Sequence, residues 1–164
     1  MFPSQREFER IVLPHTASLL RFARRLQGGG QVAEDLVQET LLLAWRGFRK
    51  FERGTNARAW LFRILINAFY GQGRKARTSP ETVPITEHRS SGSSTIERLE
   101  VRQAMAGLSE EHRTVLFLAV LEGFTTLEVA EILSIPQGTV MSRLSRARQA
   151  LREVLTDVHS AKDF

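Results

Sequence analysis

The sequence predicts an all-α protein: two small helical domains joined by a flexible linker, the C-terminal one carrying a helix-turn-helix. Three observations in the 164-residue chain lead there. Apolar residues recur at three- and four-residue steps, and no alternating strand pattern of useful length interrupts them. Residues 78–95 are rich in Ser, Thr, Pro and Gly and nearly empty of large apolar side chains, as a linker would be. The stretch LEVAEILSIPQGTVMSRLSRAR (Leu127–Arg148) reads as a short helix, a tight turn and a second helix.

The first domain is expected over residues 1–77. Ser4 and Glu7 have capping-box spacing and start a helix whose buried stripe is Phe8, Ile11, Val12, His15, Leu19, Phe22 and Leu26. Pro14 falls inside that stripe and predicts a kink or break. Gly28-Gly29-Gly30 ends the element. A second helix is expected from Val32 to Phe48, with Leu36, Leu43, Ala44 and Phe48 inward. The polar loop Glu52–Asn56, hinged at Gly54, leads to a third helix over Arg58–Arg77 with Trp60, Leu61, Ile64, Leu65 and Ala68 as core.

The second domain is expected over residues 96–158. Its helices span Ile96–Ala106, Ser109–Glu122, Thr126–Leu133 and Gln137–Leu155, and Thr156–Phe164 reads as a fraying tail. Ser109 with Glu110 and Glu111 makes a helix start. In the helix-turn-helix, Val129, Ala130, Leu133 and Ile135 would pack under Val140, Leu144 and Ala147. Pro136 ends the turn, and Gly138-Thr139 lie where amides of a first helical turn meet a phosphate. From Gln137 to Arg152 the charged residues are Arg143, Arg146, Arg148 and Arg152, with no acid. Such a helix suits the DNA major groove.

Composition narrows the function classes. A net charge of +5 favours a polyanionic partner. The absence of cysteine removes disulfides, thiolate chemistry and Cys-ligated zinc, and fits a reducing cytoplasm. No membrane span and no signal-peptide pattern is found, so a cytoplasmic location is expected. His15, His88, His112 and His159 are scattered without ligand spacing, so neither a metal nor a cofactor is expected. No phosphate loop, dinucleotide fingerprint or catalytic constellation is present, and an enzyme is not expected.

Two further helices carry open readings. The third holds Arg58, Arg63, Arg74, Lys75 and Arg77 without an acid, interleaved with Trp60, Phe62, Phe69 and Tyr70. Cations tracking a backbone and rings stacking on bases suit single-stranded nucleic acid. A basic face over an aromatic core fits equally well. Arg63 and Asn67, four apart, share a face; Asn67 could meet a base edge or satisfy backbone. The second helix presents Glu34, Asp35, Gln38 and Glu39, either a solvated face or a docking face for a protein. Its charge would repel DNA.

Three blocks, AEDLVQETLLLAWRGF (Ala33–Phe48), GTNARAWLFRILINAFYGQGRKAR (Gly54–Arg77) and LSEEHRTVLFLAVLEGFTTLEVAEILSIPQGTVMSRLSRARQALREVL (Leu108–Leu155), resemble bacterial RNA polymerase sigma factors of the extracytoplasmic-function (ECF) type. The resemblance spans nearly the whole chain outside linker and tail, and its finer wording is similar to stress-linked groups. It implies that the first domain binds the clamp helices of the polymerase largest subunit through Asp35, Gln38, Glu39 and Trp45. It implies that the same domain melts the -10 element and traps a flipped base, with Phe51, Gly54, Thr55, Asn56, Arg63, Asn67, Arg74 and Lys75 at matching positions. For the second domain it implies duplex reading of the -35 element by Thr139, Ser142, Arg143, Ser145, Arg146 and Arg148, with a surface for the polymerase flap. It further implies restraint by an anti-sigma factor. The chain departs from the pattern at Gly71, where the family often has Asp, and at Met141, which is often basic.

Two rival readings fit the residues less well. A stand-alone regulator with the same helix-turn-helix would need a dimer helix, and none is evident. A nucleic-acid enzyme or its adaptor would need a catalytic or metal constellation.

Overall fold

The computed structural model describes residues 4–78 and 95–162, and the linker expected over 78–95 lies outside the described residues except at its two ends. The chain divides into two compact units, residues 1–88 and 89–164. No strand occurs among the described residues.

Unit 1 begins with α1 (Gln5–Val12), a 3-10 turn (Leu13–His15) and α2 (Thr16–Gln27). Ser4 caps α1, its Oγ accepting the Glu7 amide at 3.2 Å. The expected capping box is only half made, because the Glu7 carboxylate reaches away to Arg53. The break falls at Pro14, whose missing N–H and ring prevent a continuous helix. Around the break, Thr16 Oγ1 donates to the Leu13 carbonyl at 2.8 Å and Ser18 Oγ to the His15 carbonyl at 3.2 Å. Gly28, Gly29 and Gly30 all take positive φ, a run that side-chain-bearing residues would resist.

Helix α3 (Gln31–Gly47) follows, with a 3-10 turn at Phe48–Lys50 and then α4 (Ala57–Thr78). The buried face of α3 is Ala33, Leu36, Val37, Thr40 and Ala44. Buried Thr40 is satisfied within the helix, its Oγ1 donating to the Leu36 carbonyl at 2.7 Å. Leu43, expected inward, is exposed. The buried arc centres on Thr40 and Ala44, and Leu43 falls just past its edge. Helix α4 packs against α1, α2 and α3. It therefore buries a broader face than one stripe: Phe62 and Ile66 join Leu61, Leu65 and Ala68, while Trp60 and Ile64 are half-buried. Phe22 meets Phe62 edge-on at 5.1 Å in the centre of this core.

Beside that centre lies an aromatic junction. Phe8 meets Trp45 and Phe48 edge-on, at 5.1 and 5.2 Å. Phe51 stacks parallel on Phe48 at 5.9 Å and lies 4.7 Å from Trp60. His15 is half-buried nearby, and desolvation together with the positive charge of Arg58 lowers its imidazole pKa below the usual value. The folded state thus resists a proton that the unfolded chain accepts below about pH 6.5. Unit 1 should gain stability as pH rises between the lowered pKa and about 6.5, and lose it on acidification. Both tryptophans of the chain, Trp45 and Trp60, lie in this unit, so fluorescence-detected urea melts report on it alone. The midpoint should be lower at pH 5.5 than at 7.5, and His15→Gln should flatten the difference. An equally steep dependence in His15→Gln would assign it to another group.

Unit 2 contains α5 (Thr95–Ala106), α6 (Glu110–Leu116), a π-helical turn (Phe117–Leu121), α7 (Thr126–Leu133) and α8 (Gln137–Lys162). Ser109 caps α6 by accepting the His112 amide at 3.2 Å. The helix expected to run unbroken to Glu122 instead widens into the π turn, which leaves Val120 and Leu121 exposed while Val115 and Leu118 stay in the core. Thr125 and Glu128 form a complete capping box on α7. Helix α8 packs against α5, α6 and α7. It continues through Lys162, where a fraying tail was expected from Thr156. No Gly or Pro stops it after Gly138, and Thr156 Oγ1 donates to the Arg152 carbonyl at 2.7 Å across the point where the tail was expected to begin.

Candidate nucleic-acid interface

The turn between α7 and α8 is built by local chemistry. Ser134 adopts the left-handed conformation at the C-terminus of α7, and the Ile135 amide donates to the Ala130 carbonyl at 3.1 Å. The Pro136 carbonyl accepts the Thr139 and Val140 amides at 3.0 and 3.2 Å, which opens α8. Gln137 Nε2 donates to Thr126 Oγ1 at 2.8 Å and stitches the two helix starts together. Helices α7 and α8 pack together, and Val129, Ala130 and Ile132 of the first and Val140, Leu144 and Ala147 of the second are all buried. Ile132 was not singled out in the sequence, although it lies one turn beyond Val129. Leu133 and Ile135 are only half-buried.

On the outer side of α8, Ser142, Ser145, Arg146 and Arg148 are exposed and Thr139 is half-buried. Met141 is exposed among them. Arg143 differs: its side chain is only 24% exposed and its Nη2 lies 3.4 Å from the Glu111 carboxylate of α6. It is steadied by a neighbouring helix rather than projecting alone. Gly138 has open space where a Cβ would stand, so the first turn of α8 is uncovered.

In unit 1, Arg63 and Asn67 are both exposed on α4. Arg74 is also exposed, and the side chain of Lys75 lies outside the described residues. The loop before α4 is closed by its own groups. Gly54 has φ +86°, Thr55 Oγ1 donates to the Glu52 carbonyl at 2.6 Å, and Asn56 Oδ1 accepts the Ala59 amide at 3.0 Å. Asn56 is thereby the N-terminal cap of α4. Phe51 is 6% exposed within the aromatic junction. Its ring packs inward on Phe48 and Trp60 and is not an outward surface. Phe62, one of the rings interleaved with the cations, is fully buried, with the Arg58 guanidinium 5.2 Å from its centroid. Core packing accounts for it.

The α3 face has a different character. Asp35 and Gln38 are exposed, and Asp35 accepts from Gln31 at 3.0 Å. Glu39 is half-buried and accepts from Gln72 of α4 at 2.8 Å; Gln72 in turn accepts from Gln27 of α2 at 3.2 Å. Glu39 thus belongs to a polar chain across three helices. Trp45 is 40% exposed, with Leu42 and Leu43 also exposed on this helix. Leu42 continues the four-residue row of Glu34 and Gln38, whereas Leu43 reads as core from its place in a consecutive apolar run. Among the described residues no group of three or more His, Asp or Glu could hold a metal ion. No described helix is long and apolar enough to cross a membrane.

Family comparisons agree with this two-unit layout. Sigma-70 region 2 matches residues 11–78, and Sigma-70 region 4 matches residues 98–151. The fold and its helix-turn-helix therefore define a sigma factor of the sigma-70 class with regions 2 and 4 in that order. The ECF RNA polymerase sigma factor SigL of Mycobacterium tuberculosis is 38% identical over 152 residues, covering 88% of this chain and 86% of its own. The ECF factor EcfG of Rhodopseudomonas palustris is 36% identical over 158 residues, covering 93% and 87%. The chain belongs to the ECF RNA polymerase sigma factors. Among solved structures, the sigma factor RpoE in complex with the anti-sigma factor NepR from Bartonella quintana superposes with a TM-score of 0.75 at 36% identity, covering 92% of this chain and 97% of that one. CnrH in complex with the cytosolic domain of CnrY gives 0.71 at 27% identity, covering 94% and 90%.

Proposed function

We propose that this ECF sigma factor joins core RNA polymerase, opens the -10 element with unit 1 and reads the -35 element as duplex with α8. The polymerase clamp helices would meet the α3 face at Asp35, Gln38 and Trp45, with Glu39 holding that face to α4. The 54–56 loop, Arg63, Asn67 and the basic end of α4 would engage the opened strand. Phe51 and Asn56 would act as the frame of the loop, since packing and capping already occupy them. Residues 1–77 and 96–158 would be the working domains, with 78–95 as the tether. The protein itself would catalyse nothing and would work in the cytoplasm.

The observation that carries this reading is α8: a buried Val140–Leu144–Ala147 stripe backed by an exposed Ser142–Arg146 face, in a chain that also has a separate acidic α3 surface. Run-off transcription tests it. Purified core polymerase should start at new genomic promoters when the chain is added. No association with core and no change in start sites would overturn the reading. We also propose restraint by an anti-sigma factor in a stress response, supported by the Bartonella quintana sigma factor solved with the anti-sigma factor NepR. Native co-purification should yield an inhibitor in one-to-one amount, and its consistent absence removes this part.

A further inference from the structure

Glu7 of α1 and Arg53, 46 residues later, form a two-pronged ion pair. Arg53 Nε donates to Glu7 Oε1 at 2.6 Å and Nη2 donates to Oε2 at 3.2 Å. Two nitrogens of one planar guanidinium meeting two oxygens of one carboxylate fix direction as well as distance. The pair also holds the Glu7 carboxyl below its usual pKa, chiefly through that hydrogen bond. The Arg53 guanidinium lies 5.6 Å over the Phe48 ring. Phe8, next to Glu7, meets the same ring edge-on from the other helix. Neighbouring residues of α1 therefore grip the 48–53 segment twice, once by charge and once by ring contact.

The position of the grip matters. Arg53 directly precedes Gly54-Thr55-Asn56. Asn56 is tied into α4 by its cap, and Thr55 closes back on Glu52. Gly54 has open space around it and a left-handed backbone, so it restrains little by packing. The loop is thus anchored at its far end by α4 and at its near end by α1 through Arg53.

We infer that Glu7 is a positioning residue for the 54–56 loop: through Arg53 it holds the loop in the shape that selects an extruded base. This rests on the assignment of that loop to the -10 element. The side chains of the pair are 25% and 51% exposed, so the ion pair adds little to global stability and its loss should be read in loop function.

The test uses holoenzyme on a promoter found by run-off transcription, with strand opening read by permanganate reactivity on the natural -10 element and on single-base variants of it. Glu7→Gln and Arg53→Gln should each lower the ratio of opening between natural and variant elements by about two- to fivefold, the ratio that an exposed ion pair supports. The double variant should be no worse than either single one. The exchange Glu7→Arg with Arg53→Glu should restore most of the ratio. Fluorescence melts, core binding and -35 duplex binding should stay at wild-type values. An unchanged ratio in Glu7→Gln overturns the inference, as does tighter binding to all sequences alike, which would make Glu7 a mask over Arg53. Wild-type holoenzyme that fails to open the -10 element overturns the loop's assignment itself, and this role with it.

Discussion

Phe48→Ala should unfold unit 1 under mild denaturant while unit 2 stays folded. Phe48 is fully buried where the end of α3 meets α1 and the loop before α4. Its ring touches Phe8, Phe51 and Trp60 and lies under the Arg53 guanidinium. Truncation removes one ring and leaves a void that its neighbours fill only in part, a loss of about 3–5 kcal/mol. A helical unit of this size has only several kcal/mol to lose. Trp60 neighbours the lost ring and Trp45 packs on Phe8, which also meets it, so their fluorescence should shift at a much lower urea concentration. Phe48→Leu keeps much of the volume and should cost clearly less. The variant should lose core association while the isolated -35 duplex still binds, because α8 belongs to the other unit. A midpoint within experimental error of wild type would show that the aromatic junction does not hold unit 1 together.

The residues that stopped or turned the chain were the most legible. Pro14, the three glycines after α2 and Pro136 act through sterics and missing donors within a residue or two, so their effect is independent of distant packing. The hydrophobic stripe of α8 was legible because its buried residues Val140, Leu144 and Ala147 keep a three- and four-residue period even with three helices packed on it. Helix α4 buries a broader arc, and there the period blurs. Phe62 and Ile66 of α4 are core for that reason, and Leu43 of α3 is surface because small residues centre the buried arc elsewhere.

Side chains with two possible partners were harder to read. The Ser4–Glu7 spacing predicts a closed capping box, but a guanidinium from 46 residues away offers Glu7 a charged double hydrogen bond, and that stronger partner wins. Glu39 behaves alike: it is committed to Gln72, 33 residues away, a contact that no local spacing reveals, whereas the Asn56 cap of α4 is a three-residue contact of the kind local sequence can show. The ends of α8 follow the same logic in reverse. Its polar sequence after Leu155 looks like a tail, yet with no Gly or Pro to stop it the helix runs on to Lys162.

Arg146→Ala should cost about 1–3 kcal/mol of -35 duplex binding and relax the choice of base at one promoter position. The helix wheel singles out this arginine. Val140, Leu144 and Ala147 define the buried side of α8. Steps of 100° per residue place Ser142 and Arg146, four apart, opposite that side, where a major groove would lie. Arg148 falls one turn after Leu144 and so near the flank, beside exposed Met141, where a phosphate backbone would pass. Arg143 is close to the buried side and leans on Glu111. The two exposed arginines should therefore fail differently. Arg148→Ala should weaken all sequences alike and flatten the dependence of log affinity on log salt by about one unit. Arg146→Ala should leave that slope nearly unchanged if its contact is to a base edge alone, and should narrow the gap between the natural site and a single-base variant. Band shifts with the full chain at several salt concentrations separate these outcomes. Discrimination lost in Arg148→Ala and kept in Arg146→Ala would mean that α8 meets the groove with a different side from the one opposite its core.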